Sequence, residues 1–282
     1  MSRLQIPLTE EGYAQANEAF RHCWSGDRWE VLNAIQAHLP TISDSHITVL
    51  GIGVGDGEFD EQFIDLIQQK AGPLFIKYTA VEPNQVQLQG FAKRLSAMPT
   101  IQLNLQSVRA EDFVFDQQFD IIHYIHSLYH VPEHEERLIR ESLASLKPQG
   151  CFVAALSTEQ GGIYQMMHAF WNVIDYSAFT SGLFGQESLQ KLLDQNRITY
   201  DYQRFPDIYI DVTACFDMQS ELGKHLLNFV LQANIQHAPT EVYQQALAKL
   251  KALAYEEHGI YKLSHGSGVF VLRREQEREV ST

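Results

Sequence analysis

The chain has 282 residues, 45% of them hydrophobic, and its 21 lysines and arginines against 35 aspartates and glutamates give a net charge of −14. Such a chain is long enough for one large core or for a domain with an elaborate cap. No basic stripe offsets the acidic charge, so binding to a nucleic-acid backbone is not expected. The charge suits a cationic or neutral small partner, although acidity for solubility alone explains it equally well.

The cysteines and the N-terminus indicate the compartment. Cys23, Cys151 and Cys215 are widely spaced and include no CxxC pair, which argues against a disulfide framework or a thiolate zinc site and fits a reducing environment. The opening "MSRLQIPLTEEGY" lacks the apolar run of a signal peptide. No stretch approaches the roughly 20 apolar residues of a membrane span. These features predict a cytoplasmic protein with no membrane partner.

Two helices are predicted before residue 45. Thr9 is a suitable N-cap for the first. Its apolar face is formed by Tyr13, Ala16, Phe20 and Trp24, which recur at helical spacing. The second carries Val31, Leu32, Ile35 and Leu39 and stops before Pro40. Together these helices form a predicted N-terminal lid over residues 1–45.

From residue 46, short β-rich runs alternate with helical patterns. The predicted strands are "HITVLGIG", "LFIKYTAVE", "TIQLNL", "FDIIHYI" and "GCFVAAL". Helices are predicted between most of them, as in "FDEQFIDLIQQK", "NQVQLQGFAKRL" and "EHEERLIRESLASL". This alternation is typical of an α/β fold with a parallel sheet wrapped by helices. A ligand site is then expected beyond the carboxyl ends of the strands.

After residue 157 the pattern is less regular. The aromatic segment 157–185 is too long for a simple connector. A helix at "ESLQKLLDQ", a strand around 198–202, a mainly helical insertion over 214–262 and a final strand "GVFVL" follow. We therefore predict a single domain with a cofactor-binding core over 46–156 and substrate-cap insertions at 157–185 and 214–262.

A glycine-rich loop follows the first predicted strand. "VLGIGVGDGEFD" fits GxGxG over Gly53, Gly55 and Gly57, whereas the dinucleotide fingerprint GxGxxG fails in either register. Glu82 ends the second predicted strand, where an acid accepts hydrogen bonds from ribose hydroxyls. Glu111 and Asp112 follow the third strand, within reach of an adenine amino group. No GK[ST] motif or basic residue is placed for a pyrophosphate, so the expected nucleoside carries no phosphate.

A phosphate-free adenosine at a parallel sheet indicates S-adenosyl-L-methionine as the cofactor. In order, the glycine loop, Glu82, "AED", "FDIIH" and "LKPQG" resemble the class I S-adenosylmethionine-dependent methyltransferases. Gly51 departs from the pattern, since most of that class has an acid two residues before the first motif glycine. The resemblance implies a Rossmann-like seven-stranded sheet with an antiparallel last strand, N-terminal helices and helical cap insertions.

The chain more closely resembles the histamine N-methyltransferase family, from "EAFRH", "IGVGDGE" and "VEPN" to "SLYHV", "DVTACF", "LLNFVL" and "GVFVL". The resemblance implies that Gln87 and Ile125 also bind the cofactor. It implies a substrate site at Asp27, His126, Tyr129, His130, Ser181, Phe229 and His265. Of these, Tyr129 and Phe229 keep the family's residue type, whereas Asp27, His126, His130, Ser181 and His265 differ from it.

Each of these residues also has a simpler explanation. Core packing explains Phe229 as well as substrate contact does, and Phe20 is about equally suited to a substrate lid or to packing. Asp27 follows a Ser-Gly break and could cap the second helix.

Three histidines lie in or just after "FDIIHYI". We interpret His123 as structural because it lies inside the strand. A metal site from His126, His130 and His134 would need a continuous helix, which Pro132 interrupts, and no cysteine or HExxH pattern supports it. His126 and His130 follow the strand's carboxyl end, and we predict that they act as catalytic residues, either orienting the substrate or accepting its proton.

The predicted function is N-methylation of a small imidazole-containing amine, with histamine as the leading substrate and histidine or a thiohistidine as alternatives. A methyltransferase of a different small amine and a non-catalytic S-adenosylmethionine-binding protein remain open. An enzyme of nucleic acid is disfavoured by the charge. We expect a monomer whose partner is the small-molecule substrate.

Overall fold

The computed structural model of the protein describes residues 2–26, 28–40, 46–72, 74–177, 180 and 182–274. Its α-helices are α1 (Glu10–Cys23), α2 (Arg28–Gln36), α3 (Glu58–Ala71), α4 (Gln85–Leu95), α5 (Glu135–Ala144), α6 (Gly162–Phe170), α7 (Gln186–Gln195), α8 (Glu221–Leu231) and α9 (Thr240–Leu253). Its strands are β1 (His46–Ile52), β2 (Phe75–Val81), β3 (Ile101–Gln106), β4 (Phe119–Ile125), β5 (Leu146–Ser157), β6 (Tyr200–Phe205), β7 (Tyr209–Asp211), β8 (Tyr255–Glu257), β9 (Ile260–Ser264) and β10 (Ser267–Arg273).

Seven strands form one sheet in the order β3-β2-β1-β4-β5-β10-β6, mostly parallel with an antiparallel strand. In β1, Ile47, Val49 and Leu50 are fully buried, as expected for a parallel sheet that is covered on both faces. Between β1 and β2, α3 buries Phe63 and Ile64. The predicted Rossmann-like fold class is confirmed.

The chain divides into two compact units. The sheet unit consists of the described residues of 28–156, 190–203 and 269–282, and the helical unit of those of 1–27, 157–189 and 204–268. The two N-terminal helices therefore fall in different units, α1 in the helical unit and α2 in the sheet unit. The prediction of a single domain with a lid and two insertions stays a prediction.

In the helical unit, α1 packs on α8. Thr9 caps α1 as predicted, because its hydroxyl accepts a hydrogen bond from the Gly12 N–H at 3.0 Å. The packed face includes Ala19 and Leu226, which belong to one buried hydrophobic cluster. The insertion over 214–262 contains α8 and α9, but it also supplies strands to a second sheet of order β7-β9-β8. That small sheet and helix α6 were not predicted.

None of the helices in the described part of the chain is long and apolar enough to cross a membrane.

Candidate active site

The glycine loop between β1 and α3 has a backbone that only glycine adopts easily. Gly53, Gly55 and Gly57 have φ angles of 70°, 58° and 78°, in the left-handed region. A Cβ on Gly53 would lie 2.3 Å from the Ser127 Cβ, and one on Gly57 would lie 2.6 Å from a ring carbon of Phe91. The loop therefore needs glycine both for its conformation and for its close packing.

Glu82 fixes the loop from the end of β2. Its side chain is 8% exposed. One carboxylate oxygen accepts a hydrogen bond from the Gly55 N–H at 3.0 Å, and the other accepts one from the Asn84 N–H at 2.9 Å. Asn84 in turn caps α4 by accepting from the N–H groups of Val86 and Gln87. The predicted ribose acid thus links the glycine loop to the start of α4.

Gln87, in the first turn of α4, also faces this loop. Its side chain is buried, and its Oε1 lies 3.7 Å from the position of a Cβ on Gly55. The structure therefore brings together Gly55, Glu82 and Gln87, which sequence analysis assigned to cofactor binding from separate segments.

The two predicted adenine acids differ in their surroundings. Glu111 and Asp112 lie in a 3₁₀ turn over Ala110–Asp112. The Glu111 carboxylate accepts from the Arg109 guanidinium, with Nε–Oε1 and Nη2–Oε1 distances of 2.6 and 2.5 Å. Asp112 is exposed. Asp112 is therefore the more accessible carboxylate of the pair.

Beyond β4, the chain turns sharply at His126. Ile125 is the last residue of β4, and His126 has a φ of 53°, a conformation that is uncommon outside glycine. The His126 N–H donates to the Ala155 carbonyl at 2.8 Å. Ser127 Oγ donates to the Ile52 carbonyl at 2.6 Å. These two bonds hold the turn between β1 and β5, and non-glycine residues in this region cost about 1–3 kcal/mol.

Tyr129 and His130 follow in the 3₁₀ helix Leu128–His130. Their rings meet edge to face, with centroids 4.4 Å apart and an interplanar angle of 65°. Burial lowers the pKa of His130 from 6.5 to about 4. His130 is therefore a neutral imidazole at physiological pH.

The histidines do not form a metal cluster in this structure. His126 lies in the turn after β4, His130 in the 3₁₀ helix and His134 just before α5, so they do not share one helix. Within the described residues, no group of three or more histidine, cysteine, aspartate or glutamate side chains could hold a metal ion.

The helical unit contains a second set of predicted residues, which we call the Phe20 group: Phe20, Trp24, Phe229 and His265. Phe20 stacks on Phe229, with ring centroids 4.2 Å apart and an angle of 12°. His265 meets the Phe20 ring edge-on at 5.5 Å, and Trp24 stacks on it at 6.0 Å. Helix α1 with the residue that follows it, helix α8 and the residue that follows β9 thus contribute to one aromatic cluster.

His265 is anchored within this group. It is 4% exposed, and its Nε2 lies 3.0 Å from the Ser157 Oγ. Its backbone N–H donates to the Ile208 carbonyl at 2.8 Å. Sequence analysis missed Ser157, because a serine at the end of a strand carries no local signal of a partner so distant in the chain. Asp27 and Ser181, also predicted to bind substrate, lie outside the described residues.

The strand order and the glycine loop with its buried acid define an S-adenosylmethionine-dependent methyltransferase. A family model with the description "Methyltransferase domain" matches residues 27–196, more than half of the chain. The chain therefore belongs to this methyltransferase family.

Curated relatives resemble the chain over most of its length. Carnosine N-methyltransferase 2 of Gallus gallus is 26% identical over 239 residues, which cover 79% of this chain and 73% of the relative. Histamine N-methyltransferase of Xenopus tropicalis is 26% identical over 220 residues, 74% of each chain. A solved S-adenosylmethionine-dependent methyltransferase from Thiobacillus denitrificans, in complex with S-adenosyl-L-homocysteine, has a TM-score of 0.50 at 16% identity and covers 96% of this chain and 100% of that one. This last likeness concerns the fold alone.

The residues of the sheet unit fit the cofactor. The loop glycines have no side chain that would project toward a ligand. Among the described residues other than its chain neighbours, Gln87 alone lies within 4 Å of a Cβ on Gly55. An acid at the end of β2 suits ribose hydroxyls. The cofactor of the enzyme is S-adenosyl-L-methionine, and the chemistry of the loop and of Glu82 is compatible with it.

Proposed function

We propose that the enzyme transfers a methyl group to a nitrogen of a small imidazole-containing amine, with histamine, histidine and thiohistidine as the substrates to test first. The relatives named for carnosine and histamine support this proposal, because both compounds combine an imidazole ring with an amino group. The observation that carries it within the chain is the neutral His130 beside Tyr129 just after β4.

S-adenosylmethionine supplies the methyl group as part of a sulfonium. An imidazole substrate with a pKa near 6.5 is largely neutral at pH 7 and already nucleophilic, so it needs no strong base before attack. The work left to the protein is to hold and orient the ring, which can supply about 7–11 kcal/mol of the barrier.

His126 and His130 carry the orienting role in this proposal. Because His130 has a pKa of about 4, it is a weak acceptor for a full proton at pH 7 but a good partner for a neutral ring N–H. This favours orientation over general-base catalysis for His130. The left-handed turn at His126 gives that side chain a direction that β4 alone would not give.

The remaining contacts follow from the resemblance, except that of Phe20, which follows from the apolar face of the predicted N-terminal lid. Phe20 and Phe229 provide flat apolar surfaces for an aromatic ring. Tyr129, Ser181 and His265 provide polar groups for its nitrogen atoms. Asp27 would pair with a substrate ammonium.

For the cofactor, we propose that Glu82 accepts the ribose hydroxyls and that Asp112, rather than the Arg109-bound Glu111, accepts the adenine amino group. Ile125 would contact the adenine ring. Gly53, Gly55 and Gly57, with Gln87, would line the rest of the cofactor site.

The deciding experiment is an activity panel. Purified enzyme is incubated with S-adenosylmethionine and histamine, histidine, carnosine, thiohistidine or an amine without imidazole, and release of S-adenosylhomocysteine is followed. We expect turnover only with imidazole compounds. Turnover only with an amine that lacks imidazole would refute the imidazole assignment and support the alternative small-amine substrate.

Variants of the histidines sharpen the result. We expect His126→Ala and His130→Ala to lower turnover of the preferred substrate while cofactor affinity stays unchanged. His134→Ala is the matched control, because His134 is exposed in the same segment and its side chain makes no cap hydrogen bond. Loss of cofactor binding in His126→Ala or His130→Ala would contradict the proposed role.

A further inference from the structure

A buried polar triad lies inside the sheet unit. Asp60 of α3, Tyr78 of β2 and His123 of β4 are 1%, 1% and 2% exposed. The Tyr78 hydroxyl hydrogen-bonds the Asp60 carboxylate and lies 2.5 Å from the His123 Nε2, which is 3.2 Å from the same carboxylate oxygen. None of the three has a part in the function proposed above.

The triad lies directly against the end of β1, where the glycine loop begins. Gly51 pairs with His123 in the parallel register of β1 and β4. A Cβ on Gly51 would lie 2.5 Å from a methyl carbon of Val54, 2.7 Å from the Tyr78 hydroxyl and 2.8 Å from the His123 Nε2. The space that a side chain of residue 51 would occupy is therefore filled by Val54 and by two members of the triad, two residues before Gly53.

The hydrogen bonds hold the Asp60 carboxylate in place. The Tyr78 hydroxyl donates to it, and the His123 Nε2 lies near the same oxygen, while the buried His123 Nδ1 has no hydrogen-bond partner among the described residues. Burial and the Asp60 carboxylate raise the pKa of Tyr78 well above its usual value, so the phenol stays protonated and remains a donor to Asp60.

Neighbouring acids of the same segment pair with an arginine, whereas Asp60 does not. Arg94 forms ion pairs with Asp56 at 3.0 Å and with Glu61 at 3.1 Å. Among the described residues, the ion-pair partner of Asp60 is His123, and no lysine or arginine pairs with it. A buried charge without a cation acts over a longer range than a solvated one.

We propose that Asp60, held by Tyr78 and His123, is a positioning residue that makes the glycine loop favour the positively charged S-adenosylmethionine over its uncharged product S-adenosylhomocysteine. Methyl transfer removes the sulfonium charge, so the product loses this attraction. The triad would thus limit product inhibition. The proposal rests on the methyltransferase activity and is independent of which acceptor is methylated.

The test is calorimetric titration of both nucleosides without any acceptor, so that an error in the imidazole assignment cannot affect it. For Asp60→Asn we expect about tenfold weaker binding of S-adenosylmethionine and less than about twofold weaker binding of S-adenosylhomocysteine. Asp60→Glu should restore the preference. An equal loss of affinity for both nucleosides would show a merely structural role and overturn the proposal.

Asp120→Asn is the matched control. Asp120 is an acid of β4 that is half-buried rather than fully buried. It accepts from Thr48 and Lys147 at the opposite end of the strands, three residues or about 10 Å from His123. We expect its removal to leave the affinity ratio unchanged. If Asp60→Asn does not fold, the double variant Asp60→Leu/Tyr78→Phe removes the carboxylate together with its hydroxyl partner. The ratio of its affinities for S-adenosylmethionine and S-adenosylhomocysteine then tests the proposal in the same way.

Discussion

The glycine-loop region of the sheet unit and the Phe20 group of the helical unit are built in different ways. In the loop region, positive φ angles and backbone N–H groups that donate to Glu82 define the geometry. In the Phe20 group, contacts between aromatic side chains define the geometry. These side chains come from residues far apart in the chain, Phe20 on one side and Phe229 and His265 on the other. We expect the first arrangement to tolerate few substitutions and the second to accept other aromatic rings. We infer that the loop region determines cofactor binding and therefore the type of reaction. We infer that the Phe20 group determines which substrate is preferred.

The strongest test of this contrast is Gly53→Ala. The new Cβ would meet Ser127 and the residue would keep a left-handed φ, so we expect about 3 kcal/mol of lost stability and more than about 100-fold weaker cofactor binding. Gly72→Ala is the control, since Gly72 also has a positive φ of 81°, while no described residue other than its chain neighbours lies within 4 Å of its Cβ. It should cost about 1–3 kcal/mol of stability and leave cofactor binding intact. Equal effects would show that strain alone governs the loop.

A pH dependence of stability tests the environment of His130. Its folded pKa of about 4 lies below the unfolded value of 6.5, so the unfolded chain takes up a proton first as the pH falls. The stabilisation is present above pH 6.5 and is lost toward pH 4, by at most about 3 kcal/mol. In urea unfolding experiments, the free energy of unfolding of His130→Gln should fall less steeply between pH 6.5 and pH 4 than that of the wild type. The variant His134→Gln, at an exposed position, should show the wild-type pH dependence.

Glu82→Gln probes the loop region without a steric change. The amide cannot match the charged acceptor for the Gly55 and Asn84 N–H groups, so we expect about 30-fold weaker cofactor binding by calorimetry. Glu111→Gln should change it less than about threefold, because Glu111 already binds Arg109. A larger effect of Glu111→Gln would indicate that Glu111, rather than Asp112, accepts the adenine amino group.

Phe20→Ala tests the helical unit. Loss of the stacked ring should raise the KM of the preferred substrate about tenfold while cofactor affinity stays unchanged. Phe216→Ala serves as the control, because Phe216 packs edge-on against Tyr261 at 4.9 Å in the same unit. If both variants change KM equally, the Phe20 group has only a packing role and the proposed contrast fails.

Sequence analysis recovered what depends on local patterns. The alternation from residue 46 predicted β1 to β5 and their helices, and Thr9 predicted the start of α1, because caps and periodicity act within one turn. The cofactor loop was predicted for the same reason, since GxGxG encodes its own backbone.

What escaped prediction depends on residues far apart in the chain. The Ser157–His265 hydrogen bond forms only when the ends of β5 and β9 meet. The β7-β9-β8 sheet uses strands as short as three residues, which have no readable alternation. Tyr78 and Asp60 gave no signal as a pair, because each looks like an ordinary member of a strand or a helix.

The strand order carries a consequence for biosynthesis. β10, the last of the described strands in chain order, lies between β5 and β6 rather than at an edge. Until residues 267–273 have been synthesised, β5 and β6 each have an unpaired edge that can recruit other chains. We therefore expect a nascent chain that stalls before residue 267 to be a substrate for chaperones.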